Sequence, residues 1–187
     1  MVTILKVILV LGVVVVVAAG AAGVFIVTSR CQQPPLSKDM RVVVSSPGAA
    51  SSFDNKMRDL ESRARGGQKS DVQVTEQEVT SKISAMSLPL KDVQVNFLGR
   101  GQKSRVTARW ESQGFTCPVA MEAVARVGSG QVQMNIETLQ VGVVGVPGPV
   151  TDQVRGVILG QAANVKIPEW ISEAWVSGDG VATVSSK

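Results

Sequence analysis

From residue 40 onward the apolar positions follow two different periods, and each marks an element. Ser46-Pro47 opens the first element, with serine suited to cap a helix and proline to its first turn. Ala50, Phe53, Met57, Leu60 and Ala64 then recur every third or fourth residue, opposite Asp54, Lys56, Arg58, Asp59, Glu61 and Arg63. Gly66-Gly67 ends this helix, whose mixed-sign polar face suits packing on its own domain better than lying on a membrane. Arg41-Val42-Val43-Val44 predicts a short first strand, and Asp71–Val74 another. Thr75-Glu76-Gln77-Glu78 is a capping box, in which Thr75 caps the helix and Glu78 reaches back. Val79, Ile83 and Met86 line one face of the helix it starts, which ends before Pro89.

The period then shortens to two. Val93, Val95 and Phe97 alternate with Gln94 and Asn96, and Val106, Ala108 and Trp110 alternate with Thr107, Arg109 and Glu111. Val119, Met121, Ala123, Ala125 and Val127 share a face, as do Val132, Met134 and Ile136. Breaks at Gly99-Arg100-Gly101, Gly114 and Gly128-Ser129-Gly130 make this a four-strand antiparallel meander with one apolar and one wet face. After Ile136 the apolar residues become Leu139, Val141 and Val143, moving from even to odd positions. One buried face survives that change only if the strand bulges or bends near Glu137-Thr138. Gly145-Val146-Pro147-Gly148-Pro149 closes the sheet before a third helix striped by Val150, Val154, Val157, Ile158 and Ala162, with Gly156 and Gly160 within it. Glu173–Val176, Gly178-Asp179-Gly180 and Val181–Val184 predict a terminal hairpin.

Ahead of all this lies a different pattern. Val7–Val27 is an uncharged apolar run of about 21 residues, long enough as a helix to span the roughly 30 Å hydrocarbon core of a bilayer. The residues leave three readings. Lys6, Val7–Val17 and Ala19-Gly20-Ala21 have the layout of a cleaved signal peptide. Cys31 after small residues would suggest a lipoprotein, but Arg30 precedes it. The continuation Val24-Phe25-Ile26-Val27 favours an uncleaved anchor. The expected organisation is a transmembrane anchor over 1–30, a linker with a short strand over 31–45 that includes Pro34-Pro35, and an α+β domain over 46–187. That domain is expected to pack the meander on two to three helices. The short N-terminal tail and the signal-like layout place it outside the cytoplasm. Counting positive charges alone would favour the opposite orientation, because Arg30, Lys38 and Arg41 follow the run.

Composition narrows the chemistry. The chain has 187 residues and a net charge of +4, but its cations are dispersed among carboxylates and aromatics make up 4%. A nucleic-acid partner would call for a clustered basic stripe with interleaved aromatics, so none is expected. There is no histidine, which removes the commonest general base, metal ligand and partner of a Ser or Cys nucleophile. Cys31 and Cys117 are too few for a zinc site; two thiols are favoured over a disulfide. Asp152, Glu169, Glu173 and Asp179 form no recognisable catalytic pair, and Gly99-Arg100-Gly101 lacks the setting of a phosphate loop. No enzymatic activity, metal or cofactor is expected.

Three stretches carry a resemblance: Ser46-Pro47-Gly48-Ala49-Ala50-Ser51-Ser52-Phe53, Val72-Gln73-Val74-Thr75-Glu76-Gln77-Glu78-Val79-Thr80-Ser81, and Gln140-Val141-Gly142-Val143-Val144-Gly145-Val146-Pro147-Gly148-Pro149. They resemble helix openings and a strand-to-helix junction of anchored bacterial envelope proteins that bind phospholipid, themselves similar in shape to tubular lipid-binding domains. The resemblance spans roughly residues 46–185, and its motifs are structural. It implies a non-enzymatic domain that binds or shuttles lipid acyl chains beside the membrane. A curved sheet around helices can leave an apolar groove, and flexible methionines suit its lining. The candidate groove residues are Met57, Val79, Ile83, Met86, Met121, Met134, Val154, Val157 and Ile158, each of which would serve equally well as ordinary core. The alternative is an envelope scaffold that meets a protein partner through Trp110, Trp170 or Trp175.

Overall fold

The computed structural model describes residues 40–86, 90–112, 115–128, 131–142, 144–145, 152, 167–178 and 180–187, with side chains in 90, 110–115 and 144–145 excepted. The Val7–Val27 run, Cys31, Pro34-Pro35 and the third-helix residues Val154, Val157 and Ile158 lie outside these. Among the described residues no helix is long and apolar enough to cross a membrane.

The body is α+β. Helix α1 (Pro47–Arg65) starts as its residues dictate, with the Ser46 hydroxyl accepting from the Ala49 amide at 3.1 Å. Its apolar stripe buries Phe53, Met57 and Leu60. Strand β1 (Asp71–Thr75) leads into α2 (Glu76–Ser84), where the capping box forms with both reciprocal bonds. The meander follows as β2 (Leu90–Leu98), β3 (Lys103–Ser112), β4 (Phe115–Gly128) and β5 (Gln131–Val141), with a 3-10 turn at Arg100–Gln102 between β2 and β3. The two-residue β6 (Val144–Gly145) pairs with the end of β5. Strands β7 (Ile171–Gly178) and β8 (Val181–Ser186) are the expected hairpin. Gly178 pairs with Val181 across a two-residue turn, and Gly180 takes the left-handed conformation such a turn requires.

The expected bulge is present. Glu122 of β4 pairs with Thr138 and the next residue, Ala123, pairs with Ile136, so Glu137 is the extra residue of β5. Met134, Ile136, Leu139 and Val141 are thereby all buried despite the change of parity.

The sheet is larger than a meander. All its pairings are antiparallel, and its order is β1-β8-β7-β4-β3-β2, with β5 on the other edge of β4. The 14-residue β4 is long enough to serve two neighbours in succession on one edge. Its residues 115–124 pair with β3, and Val127 and Gly128 pair with β7. The outermost strands, β1 and β2, are joined in sequence by α2, and the β7–β8 turn ties α2 to the end of β2. The Gly180 amide donates to the Phe97 carbonyl at 2.9 Å, and the Glu76 amide donates to the Gly180 carbonyl at 3.1 Å. The sheet therefore curls almost into a barrel, with α1 and α2 over its opening.

Two expectations are corrected here. Residues 41–45 are not a strand; they form an extended strap held by side chains. The Val43 amide donates to Gln94 Oε1 at 2.7 Å, Asn96 Nδ2 to the Arg41 carbonyl at 3.2 Å, and Gln77 Nε2 to the Val44 carbonyl at 3.0 Å. A β-branched run was the right local signal, but α2 already occupies the edge of β2 that the run would need. Thr80 Oγ1 and Glu76 Oε1 take the Val95 and Phe97 amides at 3.0 and 2.5 Å. The same packing corrects the expected wet face of β2, since Asn96 is buried beneath the strap. Side chains of α2 thus blunt an edge that would otherwise invite a foreign strand.

Glu78 closes a second buried network. Its carboxylate accepts from Lys56 Nζ (2.8 Å), Ser52 Oγ (2.6 Å) and the Thr75 amide (2.9 Å). Burial pushes its pKa up, but the hydrogen bonds from Lys56, Ser52 and Thr75 outweigh burial and hold it below the ordinary value of 4.5. A depressed folded-state pKa contributes stability that is fully present above the unfolded value and is lost as pH falls through the folded one. Glu78→Gln is therefore expected to destabilise the protein at neutral pH and to flatten the acid side of its stability profile. Thermal unfolding followed across that range checks this, and an acid limb unchanged by the substitution would refute it.

Candidate functional site

Where two strands share one edge of a third, the edge has a gap. Neither β3 nor β7 pairs with Ala125 or Arg126 of β4 among the described residues. Behind this gap, inside the curl, lies an apolar chamber of about 120 Å³. Phe53 of α1, Val74 of β1, Val79 of α2 and Phe97 of β2 form its inner wall. Ala125 and Val127, Val132 and Met134, and Ile171, Ala174 and Val176 line it from β4, β5 and β7, and Val184 closes it from β8. Ile167, just before β7, also lines it, and Ser104, Arg126 and Trp175 stand on the side of the gap. The chamber exists because β-branched and small residues, Val127, Val132, Ala125 and Ala174, face inward where β3 has left the edge of β4.

On the other side of the gap is a cleft of about 340 Å³, lined by Gln102, Arg126, Gly128, Gln133, Glu173 and Trp175 together with Val127 and Ala174. Arg126, Val127, Ala174 and Trp175 therefore belong to both spaces. The exposed Arg126 donates to Gln102 Oε1. Gln102 reaches it from a left-handed backbone (φ 54°) that follows the left-handed Gly101 (φ 78°), an uncommon conformation for a residue with a side chain. The other cations of this face have carboxylate partners. Lys103 Nζ meets Glu137 Oε2 at 2.5 Å and Glu122 Oε1 at 3.4 Å, and Arg105 meets Glu122 at 3.2 Å. The hydrogen bond to Glu137 chiefly, helped by Glu122, holds the Lys103 ammonium above its usual pKa against the opposing effect of desolvation. Among the described residues no carboxylate forms an ion pair with Arg126.

The expected groove residues separate under this geometry. Val79 and Met134 line the chamber. Met57, Ile83 and Met121 are buried in the core outside the chamber's lining, at 6%, 2% and 1% exposure, and Met86 is half-buried just past α2. Val154, Val157 and Ile158 are outside the described residues. Trp175 borders the chamber and Trp170 packs on the core, so both are half-buried. Cys117 is wholly buried. No three acidic, cysteine or histidine side chains among the described residues are grouped so as to hold a metal. Arg126 and the Ala125 gap were missed because they depend on where β7 lands, and no local period encodes that. Comparison with family models, with curated proteins and with solved structures gives no match.

Proposed function

We propose that this chain is a membrane-anchored, extracytoplasmic domain of a bacterial envelope that binds or shuttles an apolar lipid chain and catalyses no reaction. The observation that carries the reading is the chamber between α1, α2 and the curled sheet, whose lining is almost wholly hydrocarbon. A lining of that kind offers water few partners and favours apolar guests. Ligand sites for drug-sized molecules run to about 300–1,000 Å³, so a chamber of 120 Å³ suits the terminal part of one chain and excludes a two-chain lipid held whole. The Val7–Val27 run supplies the reason for such a site, because an anchored domain works where acyl chains are abundant.

Native mass spectrometry of the full-length protein, extracted from cells and released from its carrier in the instrument, tests this. The expected result is a retained adduct with the mass of a single-chain lipid, lost when Ala174→Trp fills the chamber. Protein that emerges without any adduct under conditions that preserve a control lipid complex would overturn the reading.

A further inference from the structure

We infer that the gap in β4 at Ala125–Arg126 is the port of the chamber, and that its ligand is a single-chain amphiphile whose acidic head stays outside on Arg126. This rests on the chamber being a ligand site, as proposed above. Three observations converge on it. The edge of β4 is unpaired where pairing with β3 has ended and pairing with β7 has not begun, and the Arg100–Gln102 turn rather than a strand packs against β4 and β7 there. The two spaces share Arg126 and Trp175, one at each side of that gap. Their linings differ: almost wholly hydrocarbon inside, and outside a mixed wall in which the Gln102 and Gln133 amides, the Arg126 guanidinium and the Glu173 carboxylate join Val127, Ala174 and Trp175. A molecule that occupies both must be apolar at one end and polar at the other.

The charge pattern sets the nature of the head. Lys103 and Arg105 are engaged by Glu122 and Glu137, whereas among the described residues Arg126 is held only by the neutral Gln102 amide. An anionic oxygen group can take the guanidinium in a charge-assisted, bidentate contact without breaking an ion pair. Gln133 lies beside it as Arg126's cross-strand neighbour. Glu173, across the cleft on β7, repels an anion and so directs it to the Arg126 side. A fatty carboxylate and the phosphate of a one-chain phospholipid share this chemistry.

The test uses the full-length chain in phosphatidylcholine nanodiscs, with three probes carrying a photoreactive diazirine at the chain terminus: a fatty acid, a lysophosphatidic acid and an uncharged monoacylglycerol. Light should attach the acidic probes to chamber residues such as Val132, Met134 or Val184, about tenfold more than the neutral one. Arg126→Gln, at an exposed site, should abolish that preference, and Ala125→Leu should slow labelling by all three. Which acidic probe labels more strongly identifies the carboxylate or the phosphate as the natural head. Equal labelling by the neutral probe, or a preference that survives Arg126→Gln, overturns the head assignment while the apolar site stands. Folded Ala125→Leu protein labelled at the original rate overturns the port. Failure of every probe to reach the chamber overturns the apolar site itself.

Discussion

Met121→Ala is expected to cost about 2–5 kcal/mol of stability, the range for emptying a methionine-sized volume in a packed core. Met121 is 1% exposed, and its β4 position faces Val106 on β3 and Leu139 on β5, both also buried. These neighbours are held in strand pairings on either side of β4, which limits their collapse into the space. Met134→Ala removes the same atoms from β5, but Met134 already borders the chamber and is 8% exposed. Its neighbours make fewer contacts to lose there, so the cost should fall at about 1–2 kcal/mol, below the usual range. The two variants should also differ in what they bind. Met134→Ala enlarges the chamber and should shift the retained lipid toward longer or bulkier chains, whereas Met121→Ala should leave its identity unchanged. Thermal unfolding and native mass spectrometry on the same preparations decide this. Equal stability losses with no change in adduct would mean that Met134 is ordinary core.

That contrast marks the boundary of what could be read from the chain. Local rules carried far: Ser46-Pro47 opened α1, Thr75 and Glu78 capped α2, and the parity change after Ile136 located the bulge at Glu137. Each rests on residues adjacent in sequence or facing each other across a short turn. Met57, Met121 and Met134 have the same signature, an apolar side chain at an inward position, yet of the three Met134 alone lines the chamber. Inward direction is periodic and legible; whether the far wall reaches the side chain is a matter of tertiary distance. Arg41–Val44 shows the same limit from the other side. Its strand propensity is real, but a strand needs a free edge, and Thr80 and Glu76 had taken the one within reach. The port is the extreme case, because it arises from β7 joining β4 across more than forty residues of intervening sequence.

Glu76→Ala is expected to open the curl where its two ends meet, at a cost of about 2–4 kcal/mol. A single carboxylate oxygen, Oε1, accepts from the Phe97 amide and from Arg41 NH2, each at 2.5 Å. Arg41 also donates to the Phe97 carbonyl at 3.1 Å, so the strap, α2 and β2 meet at three mutually bonded residues. The ion pair itself contributes little of the total, because the Arg41 side chain is 52% exposed and solvent screens it. The larger part is the Phe97 amide, which is buried and would have no acceptor in the alanine variant. A smaller part is the loss of an acidic residue from the first turn of α2, where it complements the helix dipole. Glu76→Gln keeps a carbonyl acceptor for the amide and should recover more than half of the loss, whereas Arg41→Met should cost less than about 1 kcal/mol. Hydrogen exchange locates the effect: the Phe97 and Gly180 amides should lose protection together in Glu76→Ala, because Gly180 is bonded to both Phe97 and Glu76. If Gly180 stays protected while Phe97 exchanges, the β7–β8 hairpin is held in place without this contact. Joint loss would make Glu76 the residue that keeps the β7–β8 turn against β2, and with it the wall that Val184 and Phe97 present to the chamber.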